Sequence, residues 1–448
     1  MEPPIVVEET AALKRIFGNT GFLVAGRATN AVCSFLYMAW SVRALGLSQF
    51  GVLMLVTTFG SAISSATHLP SWQPLLHYGT DPFVKGDLPR FGRLLSFCMR
   101  ADLLSGATGA LVGMLGVGLF GTSMGWPQTD QVGAMVYMLT ICVMNTGWST
   151  GVFRLCNAFW LSSVCDLSGV VVRMVGTGLG LWLHMGLYYF MLVWSMTQLA
   201  LFITNSAMGW WLLRSGGKVG RFQFFQQLEA GDAVGIWRFT LSTSGNHVLG
   251  TIFNQFGTLL VGGLLGPADA AVYRVSRQIG DGIAKPAQLM MPALYPEFIR
   301  LREKRDWYGL KHVTLRLFML IGGFSLLLML FAMVAGNTLL TWMLRVHWPG
   351  GNLMIMLMLG NAIMGLGIVP LEPLLTVVGQ VSRVLLARIV VTIAYLPLVY
   401  FMAWRWHLEG AASASVLASL LMLLICMKPV MTWFGKVAPG RRPHGVAE

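Results

Sequence analysis

The sequence has few charged residues. Only 11% of its 448 residues are Asp, Glu, Lys or Arg, whereas a soluble globular domain carries about 25%. Hydrophobic residues make up 55% of the chain, and the mean hydropathy is +0.67. Apolar stretches of about 20 residues, long enough to cross a bilayer as a helix, recur with short polar segments between them. This pattern excludes a soluble fold and predicts an all-α polytopic membrane protein.

The sequence also lacks the cysteine patterns of metal sites and disulfide frameworks. It has six cysteines, most of them within or beside apolar stretches, and none forms a Cys-x-x-Cys pair. We therefore predict packing roles for the cysteines, with no metal site and no cofactor. Coupling to a gradient of H⁺ or Na⁺ stays open.

Acidic residues are scarce as well, with 18 Asp and Glu against 31 Lys and Arg, a formal net charge of +13. The alternate loops hold only Arg43, Arg345 and Arg405, so basic residues concentrate on one side of the membrane. Because basic loops stay on the cytoplasmic side, both termini are predicted to be cytoplasmic. The same bias explains the net charge without nucleic acid, since no basic and aromatic platform gathers it. The basic segments are 14–15, 85–93, 154, 214–221, 300–311, 383–388 and 436–442.

Twelve membrane spans are predicted from the apolar stretches. They divide the chain into a cytoplasmic N-terminal lead (1–19), an N-lobe (20–213), a cytoplasmic linker (214–238), a C-lobe (239–434) and a cytoplasmic tail (435–448). The spans are 20–42, 49–69, 95–120, 132–152, 164–184, 188–213, 239–264, 270–295, 317–342, 353–373, 384–404 and 410–434.

The two halves of the chain share a pattern about 220 residues apart. A long span ends in a tight Leu-Gly turn, and the next span begins at once. This happens at Leu45-Gly46 and again at Leu265-Gly266. Six spans per half make the repeats parallel, so we predict two six-helix lobes around a central cavity that alternately opens to each side.

Span eight is the least apolar, and it carries the strongest functional signal. Its polar residues fall within an arc of about 100° on a helix of 3.6 residues per turn. Ionisable groups within the bilayer cost at least about 2.5 kcal/mol each, so such a face is expected to line an aqueous cavity. Its net charge of about +2 favours an anionic substrate. The alternative is an amphipathic helix lying on anionic lipid. The residues of the face are Arg274, Arg277, Gln278, Asp281, Lys285 and Gln288.

Other polar residues within the spans leave alternatives open. Arg27 either lines the cavity from the first span or extends to the cytoplasmic interface. Asp166 and Arg173 serve either the cavity or an inter-helix pair. Asn254 is part of a polar line on span seven, and Glu372, between two prolines, is a candidate proton or cation site.

The chain resembles the polysaccharide or O-antigen flippases of the multidrug/oligosaccharidyl-lipid/polysaccharide exporter superfamily. The resemblance covers nearly the whole chain through short motifs in a fixed order. They are Gly26-Arg27, the hairpin Arg43-Ala44-Leu45-Gly46-Leu47-Ser48-Gln49-Phe50-Gly51, Leu265-Gly266-Pro267-Ala268-Asp269 with Val272-Tyr273, Leu294-Tyr295-Pro296-Glu297, and Leu408-Glu409-Gly410-Ala411-Ala412.

The resemblance implies a multi-pass protein of the bacterial cytoplasmic (inner) membrane that flips polyprenyl-pyrophosphate-linked oligosaccharide, not an enzyme. Arg27, Arg274, Arg277 and Lys285 match the cations of the family's lumen. Gln278, Asn254, Asp281 and Glu372 are further lumen or coupling candidates. The partners are then the lipid-linked oligosaccharide and membrane lipids, and contact with a polysaccharide polymerase or export machinery stays open. The alternatives are a multidrug or cation antiporter of the same superfamily and a membrane polymerase or glycosyltransferase. The last is disfavoured by short outer loops without paired carboxylates.

Overall fold

The structure, a computed structural model, describes residues 5–122, 126–217, 226–229, 231–289, 298, 300–302, 304, 307–344, 351–366, 370–378 and 380–437. Fourteen α-helices are defined in this part of the chain, and it contains no β-strand. Helices α1 to α8 are Ile5–Thr67, Trp72–Lys85, Leu88–Phe120, Gln128–Met138, Ile141–Met144, Gly147–Leu155, Phe159–Trp182 and Leu187–Ser215. Helices α9 to α14 are Ile236–Leu265, Pro267–Leu289, Trp307–Leu344, Gly351–Leu366, Glu372–Val377 and Val381–Val437.

Seven helical segments of the described residues are long and apolar enough to cross a membrane, and one of them, Gln128–Leu155, comprises α4, α5 and α6. Two of them exceed one crossing, and each holds two of the predicted spans. The first, α1, bends at Gly46 (φ 74°), and α14 bends at Trp406 and His407. Gly266, in the second predicted Leu-Gly turn, also has a positive φ of 100°. Both turns therefore use a backbone conformation that favours glycine. The all-α polytopic fold class is confirmed.

The chain divides into two compact units, residues 1–251 and 252–448. The first holds the predicted spans one to six, from α1 to α8. The second holds α10, α11, α12, α13 and the two halves of α14. The boundary between the units lies within α9, in the predicted span seven.

Two features were not predicted from the sequence. Helix α2 is a separate amphipathic helix between spans two and three. The predicted span 132–152 is three short helices, α4, α5 and α6, instead of one. Between α5 and α6, Asn145 is extended (φ −94°, ψ 112°) and Thr146 is also outside the helical region. Non-helical backbone at membrane depth occurs where it is buried in protein or lines a water-filled cavity.

Helix α3 lets this broken segment approach closely. Large apolar residues on one side of α3, such as Leu104, Leu111 and Leu115, are exposed as expected for a surface against lipid. The opposite side carries small residues that allow two backbones to come together. A Cβ at Gly106 would stand only 2.9 Å from the Cα of Cys142 on α5. This contact places the buried face of α3 against the break.

Candidate functional site

The polar face of α10 lies partly inside the second unit. Arg277 is only 4% exposed, and its guanidinium donates to the hydroxyl of Tyr395. The hydroxyls of Tyr395 and Tyr273 each lie 3.3 Å from the Ser415 hydroxyl. Arg277 is therefore a buried cation among neutral hydroxyl groups. Its predicted contact with a substrate stays a prediction. Because Arg277 is buried, such a contact requires α10 to move or water to enter the interior of the second unit.

Asp281, one turn further along α10, is bound from a neighbouring helix. The amide nitrogen of Asn361 on α12 donates to Asp281 Oδ1 at 3.1 Å. Gly280 brings the two helices together, because a Cβ at this position would stand 3.0 Å from the same amide nitrogen. The contact fixes part of the polar face against α12.

The structure describes the side chains of only some of the other predicted site residues. Arg274 and Gln278 are half-buried and engaged in polar contacts. The side chains of Lys285, Asn254 and Arg27 lie outside the described part of the chain. Their predicted roles stay predictions.

Glu372 is held by an arginine. Arg388 Nη2 lies 2.7 Å from Glu372 Oε1 and 2.9 Å from Oε2, and both side chains are largely buried. The carboxylate is thus neutralised within the second unit. Its predicted role in carrying a proton or cation requires this pair to open.

In the first unit, Arg173 on α7 is held by aromatic side chains. Its guanidinium carbon lies 5.1 Å from the ring centre of Tyr37 and 5.0 Å from that of Trp194. Arg173 Nη1 also donates to the Tyr37 hydroxyl at 3.2 Å. This is a cation–π arrangement on partly desolvated rings. It stabilises the packing of α1, α7 and α8.

Asp102 on α3 is a buried acid of the same unit that was not predicted as a site residue, and it is 3% exposed. The backbone N–H of Trp148, at the start of α6, donates to Asp102 Oδ2 at 2.9 Å. Gly147 makes the approach possible, since a Cβ there would stand 2.3 Å from the Ser71 hydroxyl oxygen and 3.1 Å from Asp102 Oδ1. An acid within a predicted span is a signal of function or pairing.

A polar cavity of about 330 Å³ lies next to Asp102, at the break between α5 and α6. A hydrogen-bonded chain connects its wall to α3, because Asn145 Nδ2 donates to Ser105 Oγ at 3.0 Å and Ser105 Oγ donates to the Asp102 carbonyl at 2.9 Å. At the wall formed by Trp72, the Arg154 guanidinium stacks 3.8 Å from the centre of the indole ring. Residues lining the cavity include Ser64, His68, Trp72, Asn145, Gly147 and Thr150.

The segment before α9 is fixed to α3 by a charged cluster that the sequence did not indicate. Arg93 donates to both oxygens of Asp232, at 2.6 and 3.1 Å, and Arg90 Nη2 donates to the Asp232 carbonyl at 2.8 Å. The hydrogen bond from Arg93 holds the pKa of Asp232 below its ordinary value. On α2, the ring of His77 stacks on Phe239 of α9. The beginning of α9 therefore belongs to the first unit.

Within the described residues, no group of three His, Cys, Asp or Glu side chains is placed to hold a metal ion. Outside the cluster of Arg90, Arg93 and Asp232, the charged side chains described above are held singly, by hydrogen bonds, aromatic rings or one opposite charge.

No family model matches the sequence. The chain is 25% identical to inner membrane protein YghQ of Escherichia coli (strain K12) over 349 residues, which cover 75% of this chain and 94% of that protein.

The solved structures define the fold. An inward-facing multidrug resistance MATE family transporter of the MOP superfamily matches with a TM-score of 0.68 and 14% identity, over 90% of this chain and 95% of that one. The lipid II flippase MurJ, in an inward closed conformation, matches with a TM-score of 0.63 and 10% identity, over 92% and 90% of the two chains. A variant of the Vibrio cholerae MATE transporter VcmN matches with a TM-score of 0.61 and 13% identity, over 94% of this chain and 98% of that one. The protein is a multi-pass helical membrane protein with the fold of MOP-superfamily transporters.

Proposed function

We propose that this protein is a transporter that moves polyprenyl-pyrophosphate-linked oligosaccharide across the cytoplasmic membrane by alternating access. The observation that carries the proposal is the balance of charge on α10, where Arg274, Arg277 and Lys285 share a face with one acid, Asp281. A diphosphate crossing a bilayer must exchange its hydration for other favourable contacts. Arginine supplies these through charge-assisted hydrogen bonds to phosphate oxygens.

The hydrogen bonds already made by the acids of the second unit also support an anionic cargo. Glu372 accepts from Arg388, and Asp281 accepts from the Asn361 amide. A cationic drug requires a carboxylate that faces it, and these two carboxylates already have donors. An anionic cargo instead adds acceptors to a face that is rich in donors.

A multidrug or cation antiporter is the second candidate. The likeness to MATE transporters favours this candidate, whereas the likeness to the lipid II flippase MurJ favours the first. The two candidates differ in the sign of the charge on the transported molecule, and this difference can be measured directly.

The test uses purified protein in lipid vesicles. The first set of vesicles contains a short-chain polyprenyl-pyrophosphate oligosaccharide with a fluorescent label, and its exposure on the outer surface is measured with a membrane-impermeant quencher. The second set contains a fluorescent organic cation and measures its accumulation. We expect faster exchange of the lipid-linked oligosaccharide between leaflets and no movement of the cation. Cation movement without lipid exchange would instead establish the antiporter.

A further inference from the structure

Asp102 is a buried carboxyl group without an opposite charge beside it. It is 3% exposed, and no Lys or Arg of the described residues forms an ion pair with it. Glu372, the comparable acid of the second unit, lies against Arg388. An ionised carboxylate in a low-dielectric interior is strongly disfavoured unless a cation neutralises it. Asp102 therefore needs a small positively charged ligand, either a proton or a metal ion.

The groups around the carboxyl distinguish these two ligands. The N–H groups of Gly147 and Trp148, at the start of α6, both face it, and the Ser71 hydroxyl lies beside it. The start of a helix carries a partial positive charge that repels a metal ion at the same place. A proton needs only a carboxyl oxygen. Oδ1 has no hydrogen bond of good geometry to the described residues, and neither does the adjacent Ser71 Oγ.

Burial and hydrogen bonding act in opposite directions on the charged form of Asp102, and this balance suits reversible protonation. Burial disfavours the charged carboxylate, whereas the N–H donors at the start of α6 favour it. The break between α5 and α6 creates those donors. A continuous helix would use the same N–H groups for its own hydrogen bonds.

Only Gly147 separates Asp102 from the polar cavity. Gly147, which lies against the carboxyl, also lines the cavity with Asn145 and His68. The cavity is large enough for several water molecules, each of which occupies about 30 Å³ in the liquid. Its polar lining is consistent with hydration.

The elements packed around this site carry other titratable or charged groups. On α3 itself, Cys98 lies one turn away and Arg100 donates to the carbonyl of Gln226. Cys142 is on α5, and Tyr137 is at the end of α4. His68 follows α1 and lines the cavity. Arg154, on α6, stacks on Trp72 of α2.

We propose that Asp102 is the site where this transporter binds and releases a coupling proton, which enters through the cavity at the α5–α6 break. A hydronium ion in the cavity transfers its proton to the carboxylate, which yields a neutral carboxylic acid and a water molecule. Release reverses the step. The transported cargo rests on the proposed function, but the protonation itself does not.

The first experiment measures protonation without any cargo. Infrared spectra of the purified protein are recorded over a pH series, and the C=O stretching band of protonated carboxyl groups is followed. We expect one component of this band to titrate in the wild type and to be missing in Asp102→Asn. The control Asp81→Asn removes an exposed acid on α2 that pairs with Lys85, and it should leave that component unchanged. A band that is the same in Asp102→Asn and wild type overturns the proposal.

The second experiment measures coupling in vesicles with the membrane potential held at zero. For one proton per cycle, a gradient of one pH unit should produce about a tenfold accumulation of cargo by the wild type. Asp102→Asn resembles the protonated form, so it should still equilibrate cargo between leaflets but show no accumulation. Asp102→Glu should recover part of the coupling.

Two further outcomes contradict the proposal, and a third contradicts only the proposed function. Accumulation that follows a Na⁺ gradient and not a pH gradient identifies a metal ion as the ligand. A folded Asp102→Asn protein that accumulates cargo normally removes Asp102 from coupling. Wild-type protein that moves no lipid-linked oligosaccharide refutes the proposed function alone, because the infrared titration still tests the site.

Discussion

Asp102 in the first unit is held differently from Asp281 and Glu372 in the second. In residues 252–448, the acids Asp281 and Glu372 each accept hydrogen bonds from a side chain of another helix, and Arg277 lies among phenol hydroxyls. In residues 1–251, Asp102 is held by backbone N–H groups at a broken helix and lies beside a polar cavity. A side-chain partner fixes a charge in place, whereas a backbone donor beside water permits the charge to change. The two proposals thus place cargo recognition on the cationic face of the second unit and proton exchange in the first.

The largest effect is expected when the cationic face is neutralised. Each charge-assisted hydrogen bond to phosphate is worth about 1.5–3 kcal/mol, so Arg274→Gln with Arg277→Gln should slow lipid exchange by about a hundredfold or more. The rate is measured in vesicles that contain equal amounts of folded protein. Because Arg277 is buried, Arg277→Lys is included to separate loss of charge from loss of packing.

The matched control is Arg383→Gln, which neutralises an exposed arginine at the start of α14. It should leave the rate unchanged. Normal export by the folded double variant would remove α10 from cargo recognition.

A second prediction concerns the ion pair between Glu372 and Arg388. Removal of one partner of a largely buried pair leaves an uncompensated charge, so Glu372→Gln should lower the free energy of unfolding by about 3 kcal/mol. The double variant Glu372→Gln with Arg388→Gln should lose much less than the sum of the two single changes. The measurement is unfolding in mixed detergent micelles.

The transport activity of that double variant tests whether the second unit also contains a proton carrier. If the pair only stabilises the fold, accumulation driven by a pH gradient should persist. Loss of coupling in a folded double variant would place a proton carrier in the second unit.

A third prediction tests the close approach that positions Asp102. Gly106→Ala places a methyl group against the backbone of Cys142 and should destabilise the protein by about 1–3 kcal/mol. Gly118→Ala, on the same helix, meets its nearest side-chain atom at 3.5 Å and should be nearly neutral. Both are measured in micelles. Equal effects of the two substitutions would show that helix propensity, and not packing against α5, determines the result.

The smallest effect is expected at Asp232. Because the pKa of Asp232 is lowered from 3.8 by Arg93, its contribution to stability is fully present above about pH 4 and is lost as the pH falls through the lower value of the folded state. Asp232→Asn should lower the free energy of unfolding by about 1 kcal/mol at pH 7. The difference from wild type should shrink toward pH 2, and a difference independent of pH would contradict the assignment.

Most of the spans were predictable from the sequence, because apolar length indicates which segments can cross a bilayer. The two Leu-Gly turns were also visible, and Gly46 and Gly266 have the positive φ angles that explain the residue type. The amphipathic character of α10 follows from its periodicity, which a helix converts directly into one face.

The interior of each unit was less predictable. Arg388 and Glu372 are 16 residues apart and on different helices, so their contact depends on tertiary packing. The break before α6 carries no proline, and only the Asn145-Thr146-Gly147 sequence signals it weakly. Asp102 is recognisable as a site only in the structure, where the break places N–H groups at the start of α6 against its carboxyl.

The central claim is that the charge of the cargo determines transport, and one comparison tests it most directly. Two labelled lipids with the same polyprenyl chain and the same oligosaccharide are supplied to purified protein in vesicles, one joined through a pyrophosphate and the other through an uncharged linkage. We expect the wild type to accelerate exchange of the pyrophosphate lipid alone, and the variant with Arg274→Gln and Arg277→Gln to lose that acceleration. Equal exchange of both lipids by the wild type would contradict the account.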